Sequence, residues 1–336
     1  MLTLCAGAIW ANEEVWAPAV PGGYPFAHKY DAGATGSNKV DSDGDGKLNS
    51  EADGNMCWAA ATSDLIEYWQ ARYSQLTGQP LPEGVPSGTD GLRASKVFDA
   101  MVASWENKSG SVEAGLYWYF SGCVHASAIQ SGAVKADTGG YWKDYCARLG
   151  YGNTYDAVRT DENPYFVGAF SSTPTVDSKD GWKDFVYGGF GKFVREALNG
   201  GSLVALSLKD PNGGPGGHSI TLYGAEYADD GSLVGIYVHD NTYKDSELTY
   251  LMMDTPGRSI TLINEDKDKG TSEEVTLPYN VLTVNLTEEK GGKLLTNGWV
   301  VNAVGKLALP IIPEPSTAIL SLLALTGLAL RRRRAA

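Results

Sequence analysis

Residues 217–241 read GHSITLYGAEYADDGSLVGIYVHDN, the pattern of two strands around a turn. Asp229-Asp230-Gly231 supplies the turn, because Asp and Gly tolerate the backbone angles of a tight hairpin. The flanks, Ser219–Tyr227 and Leu233–His239, are rich in β-branched and aromatic residues. Antiparallel pairing about a centre between Asp229 and Asp230 sets His218 opposite a position near 241, and so beside Asp240 or Asn241. His239 is expected on the face opposite Asp240, since strand side chains alternate. The glycines of Gly213-Gly214-Pro215-Gly216-Gly217 let the backbone approach closely and leave the His218 imidazole accessible.

Outward from the hairpin, strands are expected at Leu203–Leu208 and again in several segments to about residue 303. The preceding half reads as helix. Asn55–Thr77 is the clearest, with Asn55 as cap and Trp58, Ala61, Leu65, Trp69 and Leu76 at helical spacing. Gly78 and Pro80 end it. A second helix over Trp182–Leu198 is weakened by Gly188, Gly189 and Gly191. Residues 12 to about 40 read as irregular, and no internal repeat is found. Helices first and antiparallel strands later give an α+β fold.

Cysteine and histidine are scarce: Cys5, Cys57, Cys123 and Cys146; His28, His125, His218 and His239. Cys57 falls two residues inside the start of the clearest helix. Its unpaired N–H groups and positive dipole end there favour a thiolate and can hold an oxyanion. By position alone Cys57 is either a nucleophile or a buried structural thiol. A side-chain oxygen at Asp240 or Asn241 can orient the His218 imidazole and stabilise its charge; alternatively Asp240 only caps the turn. His239 competes with His218, and His125, near Cys123, is a lesser rival. Cys123 and Cys146 could form one disulfide.

Asn55-Met56-Cys57-Trp58-Ala59-Ala60-Ala61-Thr62 resembles the nucleophile helix of the IdeS/Mac immunoglobulin-degrading cysteine peptidases. Gly217–Tyr227 resembles that family's histidine strand and Ile236–Asp240 its aspartate strand, in the family's order of Cys, His, Asp. The resemblance implies a papain-like cysteine peptidase fold, with the nucleophile helix packed on an antiparallel sheet. It also implies Cys57 as nucleophile, His218 as base and acid, and Asp240 as orienting residue, with no cofactor required for catalysis. Thr242 stands where the family tends to place a second acid. The family also places a lysine near the oxyanion site, about ten residues before the cysteine. Lys47 has that spacing, inside an acidic loop that looks inserted.

That loop, Asp41-Ser42-Asp43-Gly44-Asp45-Gly46-Lys47-Leu48-Asn49, matches the first nine positions of a calcium loop, with Asp41, Asp43 and Asp45 as ligands. Ala52 stands where the closing bidentate carboxylate belongs, flanked by Glu51 and Asp53. The loop therefore reads as either a structural calcium site or a solvated acidic turn.

The two ends read as addresses. Leu2–Ala11 is a short apolar run expected to be the end of a signal peptide, cleaved near Ala11, or else a buried first strand. Residues 12–303 form the body and 304–312 a linker. At the C-terminus, Pro313-Glu314-Pro315, an apolar stretch over 317–330 and four arginines, Arg331 to Arg334, follow one another. This order resembles the bacterial PEP-CTERM sorting signal over residues 313–336. It implies export to the cell surface or medium, transient anchoring in the inner membrane and handling by a sorting enzyme of the exosortase type. A plain membrane anchor is the other reading of the same stretch.

The formal net charge is −13, and the body without the terminal arginines is more acidic still. Such a surface excludes nucleic acid as a partner, since phosphates need a basic face. Together these features predict an exported cysteine endopeptidase acting on extracellular protein. The competing readings are an inactive, calcium-stabilised binding protein and a transglutaminase-like acyl transferase.

Overall fold

The computed structural model describes residues 12–29, 53–124, 126–148, 189–209, 217–242 and 248–253, with strand segments 259–266, 271–278, 282–283, 288–290, 293–295 and 298–308. Residues 1–11, the acidic loop with Asp41, Asp43, Asp45 and Lys47, His125, and the terminal stretch over 313–336 lie outside them. The fold is α+β, with every strand pairing antiparallel.

Six helices are described: α1 (Cys57–Thr77), α2 (Lys96–Ser104), α3 (Val112–Ser121), α4 (Ala126–Gln130), α5 (Lys143–Arg148) and α6 (Phe190–Asn199). The strands are β1 (Glu13–Trp16), β2 (Val204–Lys209), β3 (Gly217–Tyr227), β4 (Leu233–His239), β5 (Thr249–Met253), β8 (Leu282–Thr283) and β11 (Gly298–Lys306) in the main sheet. Two small separate pairs are β6 (Ser259–Asp266) with β7 (Thr271–Pro278), and β9 (Glu288–Lys290) with β10 (Lys293–Leu295). The main sheet runs β1-β3-β2-β11-β8-β5-β4, and a further pairing of β3 with β4 closes β3, β2, β11, β8, β5 and β4 into a ring. Closure leaves few bare strand edges.

Two local expectations are corrected, and a third lies partly outside the described residues. β1 lies within the stretch read as irregular, because Val15 is drawn into the core and Trp16 covers Gly224, where a Cβ would sit 2.4 Å from the indole. β11 continues to Lys306, paired with Val204 of β2, so residues 304–306 are strand and not linker. The helix expected over 182–198 is described only from Phe190 onward. Among the described residues no helix is long and apolar enough to cross a membrane.

Helix α1 decides the architecture. It packs on β3 and β2 and on α2 and α3. Every residue from Trp58 to Gln70 is buried, so this is an enclosed helix and not the one-sided amphipathic element that the apolar spacing suggests. Leu76, expected in the apolar stripe, is exposed in its last turn. The buried polar residues survive because each has a task. Thr62 and Ser63 turn their hydroxyls back onto the carbonyls of Trp58 and Ala59, at 2.6 and 2.7 Å. Asp64 accepts the Ala27 N–H at 2.7 Å, fastening the segment before the acidic loop. Gln70 donates to the Tyr119 hydroxyl at 2.6 Å and to the Pro86 carbonyl at 3.1 Å. The helix ends at Gly78, whose φ of 65° suits glycine and lets its N–H reach Ser74.

Glu67 anchors the loop leading into α2. It accepts from Gly88 N–H at 2.7 Å, the Ser95 hydroxyl at 3.0 Å and Val97 N–H at 3.2 Å. Burial outweighs these bonds and pushes its carboxyl from 4.5 up to about 7. A raised carboxyl favours folding in full below its unfolded value and loses that contribution as pH climbs through about 7. The cost of ionising it is on the order of 3 kcal/mol. Between about pH 5 and pH 8 the parent should therefore lose melting temperature that Glu67→Gln does not lose. An equal fall in both proteins would clear Glu67 of the effect.

Candidate active site

Cys57 is the first residue of α1, one turn-position earlier than expected. Asn55 does not cap the helix: its N–H and side chain bond to Asn107 instead. The N-cap is Met56, whose side chain makes no capping bond. Cys57 therefore sits at the N-terminal end of α1, where the helix dipole is positive.

Strand β3 brings His218 to that sulfur. Burial disfavours the Cys57 thiolate, but a hydrogen bond and the charge of His218, the Ser219 N–H and the charge of Lys29 outweigh it, and the thiol titrates below its usual 9.0. The imidazole Nε2 lies 2.8 Å from Asp240 Oδ1. With Nε2 committed to Asp240, Nδ1 is the ring nitrogen that meets the sulfur. Burial opposes the charged imidazolium too, yet the bonds to Asp240 and Cys57 raise His218 to about 9. Asp240 shows the counterpart: burial would raise it, but His218 and the Thr242 N–H hold it down at about 2. Thiol, imidazole and carboxylate thus stand in series, with the His218 and Asp240 side chains only 12% and 26% exposed.

The hairpin register differs by one residue from the expected one. Thr221 pairs with His239 and Leu222 with Val238, and irregularities follow between Leu222 and Gly224 and between Glu226 and Tyr227. Extra residues in a strand shift its pairing locally. Asp240 takes the imidazole, and Asn241 goes elsewhere: its Nδ2 donates to the Ser219 carbonyl at 2.8 Å and the Cys57 carbonyl at 3.2 Å. His239 turns into the core against Phe26 and His28, with Nδ1 3.4 Å from Asp64 Oδ2. It is 1% exposed and takes no part in the Cys57 cluster.

Sequence reasoning missed Lys29. Its ammonium bonds the Gly54 carbonyl at 3.2 Å, its N–H bonds the Asn241 carbonyl at 2.9 Å, and its charge favours the Cys57 thiolate. The acidic loop separates Lys29 from Cys57 in the chain, so spacing pointed to Lys47 instead. Thr242 sits where the second acid was looked for. Its N–H donates to Asp240 at 3.0 Å and its hydroxyl lies 3.5 Å from His218 Nε2. Asp53, one of the carboxylates flanking the closing position of the acidic loop, is buried and turned to Arg93 at 2.6 Å. Cys123 and Cys146 are both buried and are not joined in a disulfide. Burial raises both, Cys146 to about 12.

A cavity of about 270 Å³ lies along the middle of α1, lined by Val20, Pro21, Glu67, Gln70, Leu81 and Gly88 among others. None of Cys57, His218 or Asp240 lines it. Its one acid, Glu67, already spends both oxygens on the loop into α2, and the cavity is separate from the Cys57 cluster at the helix head.

The family model described as Mac 1 (Mac-1) matches residues 25–255, more than half of the chain. The matched span holds Lys29, Cys57, His218, Asp240 and Asn241. No curated protein matches the chain.

Proposed function

This chain belongs to the Mac-1 family, and from that premise we propose that it is a cysteine endopeptidase of the IdeS/Mac type, with a papain-like arrangement and an extracellular protein as substrate. The observation that carries the reading is a single imidazole held between a thiol of lowered pKa and a carboxylate 2.8 Å away. Such a series is suited to covalent acyl transfer.

In this reading the Cys57 thiolate attacks the scissile carbonyl carbon, forming a C–S bond. The carbonyl oxygen takes up negative charge, which in this reading the helix-head N–H groups and the Lys29 ammonium stabilise. The His218 imidazolium gives its proton to the leaving amine as the C–N bond breaks. The neutral imidazole then takes a proton from water, whose oxygen attacks the thioester and releases the acid product and the thiolate. Asp240 holds the ring and favours its charged form. Thr242 supports Asp240 through its N–H where the family tends to use a second acid. The substrate class rests on the two end segments read as export signals.

The test is incubation of the purified protein with a panel of extracellular proteins, immunoglobulin among them, with and without prior iodoacetamide. Defined fragments that vanish after alkylation are expected. Cleavage indifferent to alkylation, or no cleavage across the panel, would overturn the reading.

A further inference from the structure

Asn241 contacts several of the segments that shape this site without being assigned a chemical step. It is fully buried, between Asp240 and Thr242 at the end of β4. Its amide nitrogen donates across the site in two directions, to Ser219 on the histidine strand at 2.8 Å and to Cys57 at the head of α1 at 3.2 Å. Its own carbonyl accepts the Lys29 N–H at 2.9 Å. Ser219 in turn offers its N–H to the Cys57 sulfur. One residue therefore touches the three segments that carry the lysine, the thiol and the imidazole, and it is covalently joined to the carboxylate's residue.

The orientation of the amide is unambiguous. Both partners are carbonyl oxygens, which only accept, so the NH₂ end must face them. The opposite end is poorly served: among the described residues the buried Asn241 Oδ1 has no hydrogen-bond partner. An orphaned buried acceptor is costly, and an apolar side chain of similar shape would avoid that cost. Stability alone does not account for an asparagine here. Placement does, because two carbonyls on different elements can share one NH₂ group only when those elements sit at one fixed separation.

We propose that Asn241 is a positioning residue: its amide clamps the Cys57 carbonyl to the Ser219 carbonyl and so holds the thiol at hydrogen-bonding distance from the His218 imidazole. It touches neither substrate nor reacting atoms. The proposal rests on the reading that Cys57 and His218 act together. Displacing reacting groups by about 1 Å is enough to cost roughly 10²-fold in rate.

The experiment compares wild type, Asn241→Ala and Asn241→Asp, the last keeping the volume but turning an acceptor toward two carbonyls. Three quantities are read: melting temperature, the pH profile of Cys57 alkylation by iodoacetamide followed by peptide mapping, and kcat and KM on a cleaved protein. In both variants, Cys57 alkylation at about pH 6 should slow by roughly 10- to 100-fold and its midpoint should move up toward that of an ordinary thiol. kcat should fall by a similar factor with KM within about 2-fold. A variant that melts earlier but keeps the wild-type alkylation profile and kcat overturns the positioning role and leaves only a structural one. Should Asn241→Ala not fold, Asn241→Ser, which keeps one hydrogen-bonding group, is judged by the same criterion. Wild-type Cys57 that alkylates no faster than Cys123 would take down the peptidase reading together with this one. Fast wild-type alkylation unchanged in the variants removes this one alone.

Discussion

Replacing Cys57 with alanine should remove the proposed peptide-bond hydrolysis and leave the fold in place. The loss should reach roughly 10⁴-fold or more in kcat/KM, the scale seen when a covalent nucleophile is deleted from a residue set that acts as a unit. The helix does not depend on the sulfur. Cys57 is only partly buried and opens α1, whose enclosed stretch begins at Trp58. The side chain contributes no core packing comparable to Trp58 or Trp69. Circular dichroism should therefore be unchanged and the melting temperature should move by only a few degrees, as for a change of about 1 kcal/mol. His218 should respond, since part of its raised pKa comes from Cys57; without the sulfur it should titrate below its present value of about 9, still held up by Asp240. NMR titration of the imidazole reads that directly. Hydrolysis that persists in Cys57→Ala would mean the nucleophile is elsewhere.

The second large effect is at His218. In the wild-type protein Cys57 titrates below its ordinary 9.0 and His218 titrates at about 9. Between those values thiolate and imidazolium coexist. As pH falls through the lowered Cys57 value the thiolate is protonated, and as pH rises through about 9 the imidazolium loses the proton the leaving amine needs. Activity should thus be bell-shaped, with its upper limb near 9. Asp240, at about 2, is ionised throughout and sets neither limb. His218→Ala takes away the chief support of the thiolate, and burial then pushes Cys57 back up. At about pH 6 an ordinary thiol is ionised only to roughly one part in several hundred. Alkylation of Cys57 should slow by roughly 10²-fold or more there, and hydrolysis by roughly 10³-fold. Equal alkylation rates in the two proteins at that pH would show that His218 does not ionise Cys57.

The legible parts of this fold are those coded within a few residues. Gly78 ends α1 because only a residue tolerant of positive φ completes that cap. Asp229-Asp230-Gly231 turns the chain between β3 and β4, and Gly231 has φ of 81°. Those signals placed His218 within a residue of its partner. They could not choose between Asp240 and Asn241, because that choice hangs on irregularities in the β3–β4 pairing at Gly224 and Tyr227. Nor could they show that α1 is enclosed: Asp64, Glu67 and Gln70 look like a solvated face until the segments at 27, at 88–97 and at Tyr119 close over them.

By itself, then, the chain's order of residues determined an α+β succession, a cysteine at the head of the first long helix, and a hairpin carrying a histidine and an aspartate on neighbouring strands. Tertiary structure alone decided that the Lys29 charge favours the Cys57 thiolate, that His239 is sealed in the core with Asp64, and that Asn241 ties the helix to the strand. The reason is the range of the forces involved. Caps, turns and periodicity act over a few residues of chain, whereas hydrogen bonds such as that from Asn241 to Cys57 join groups distant in sequence, and their partners exist only once packing has fixed how the elements lie against each other.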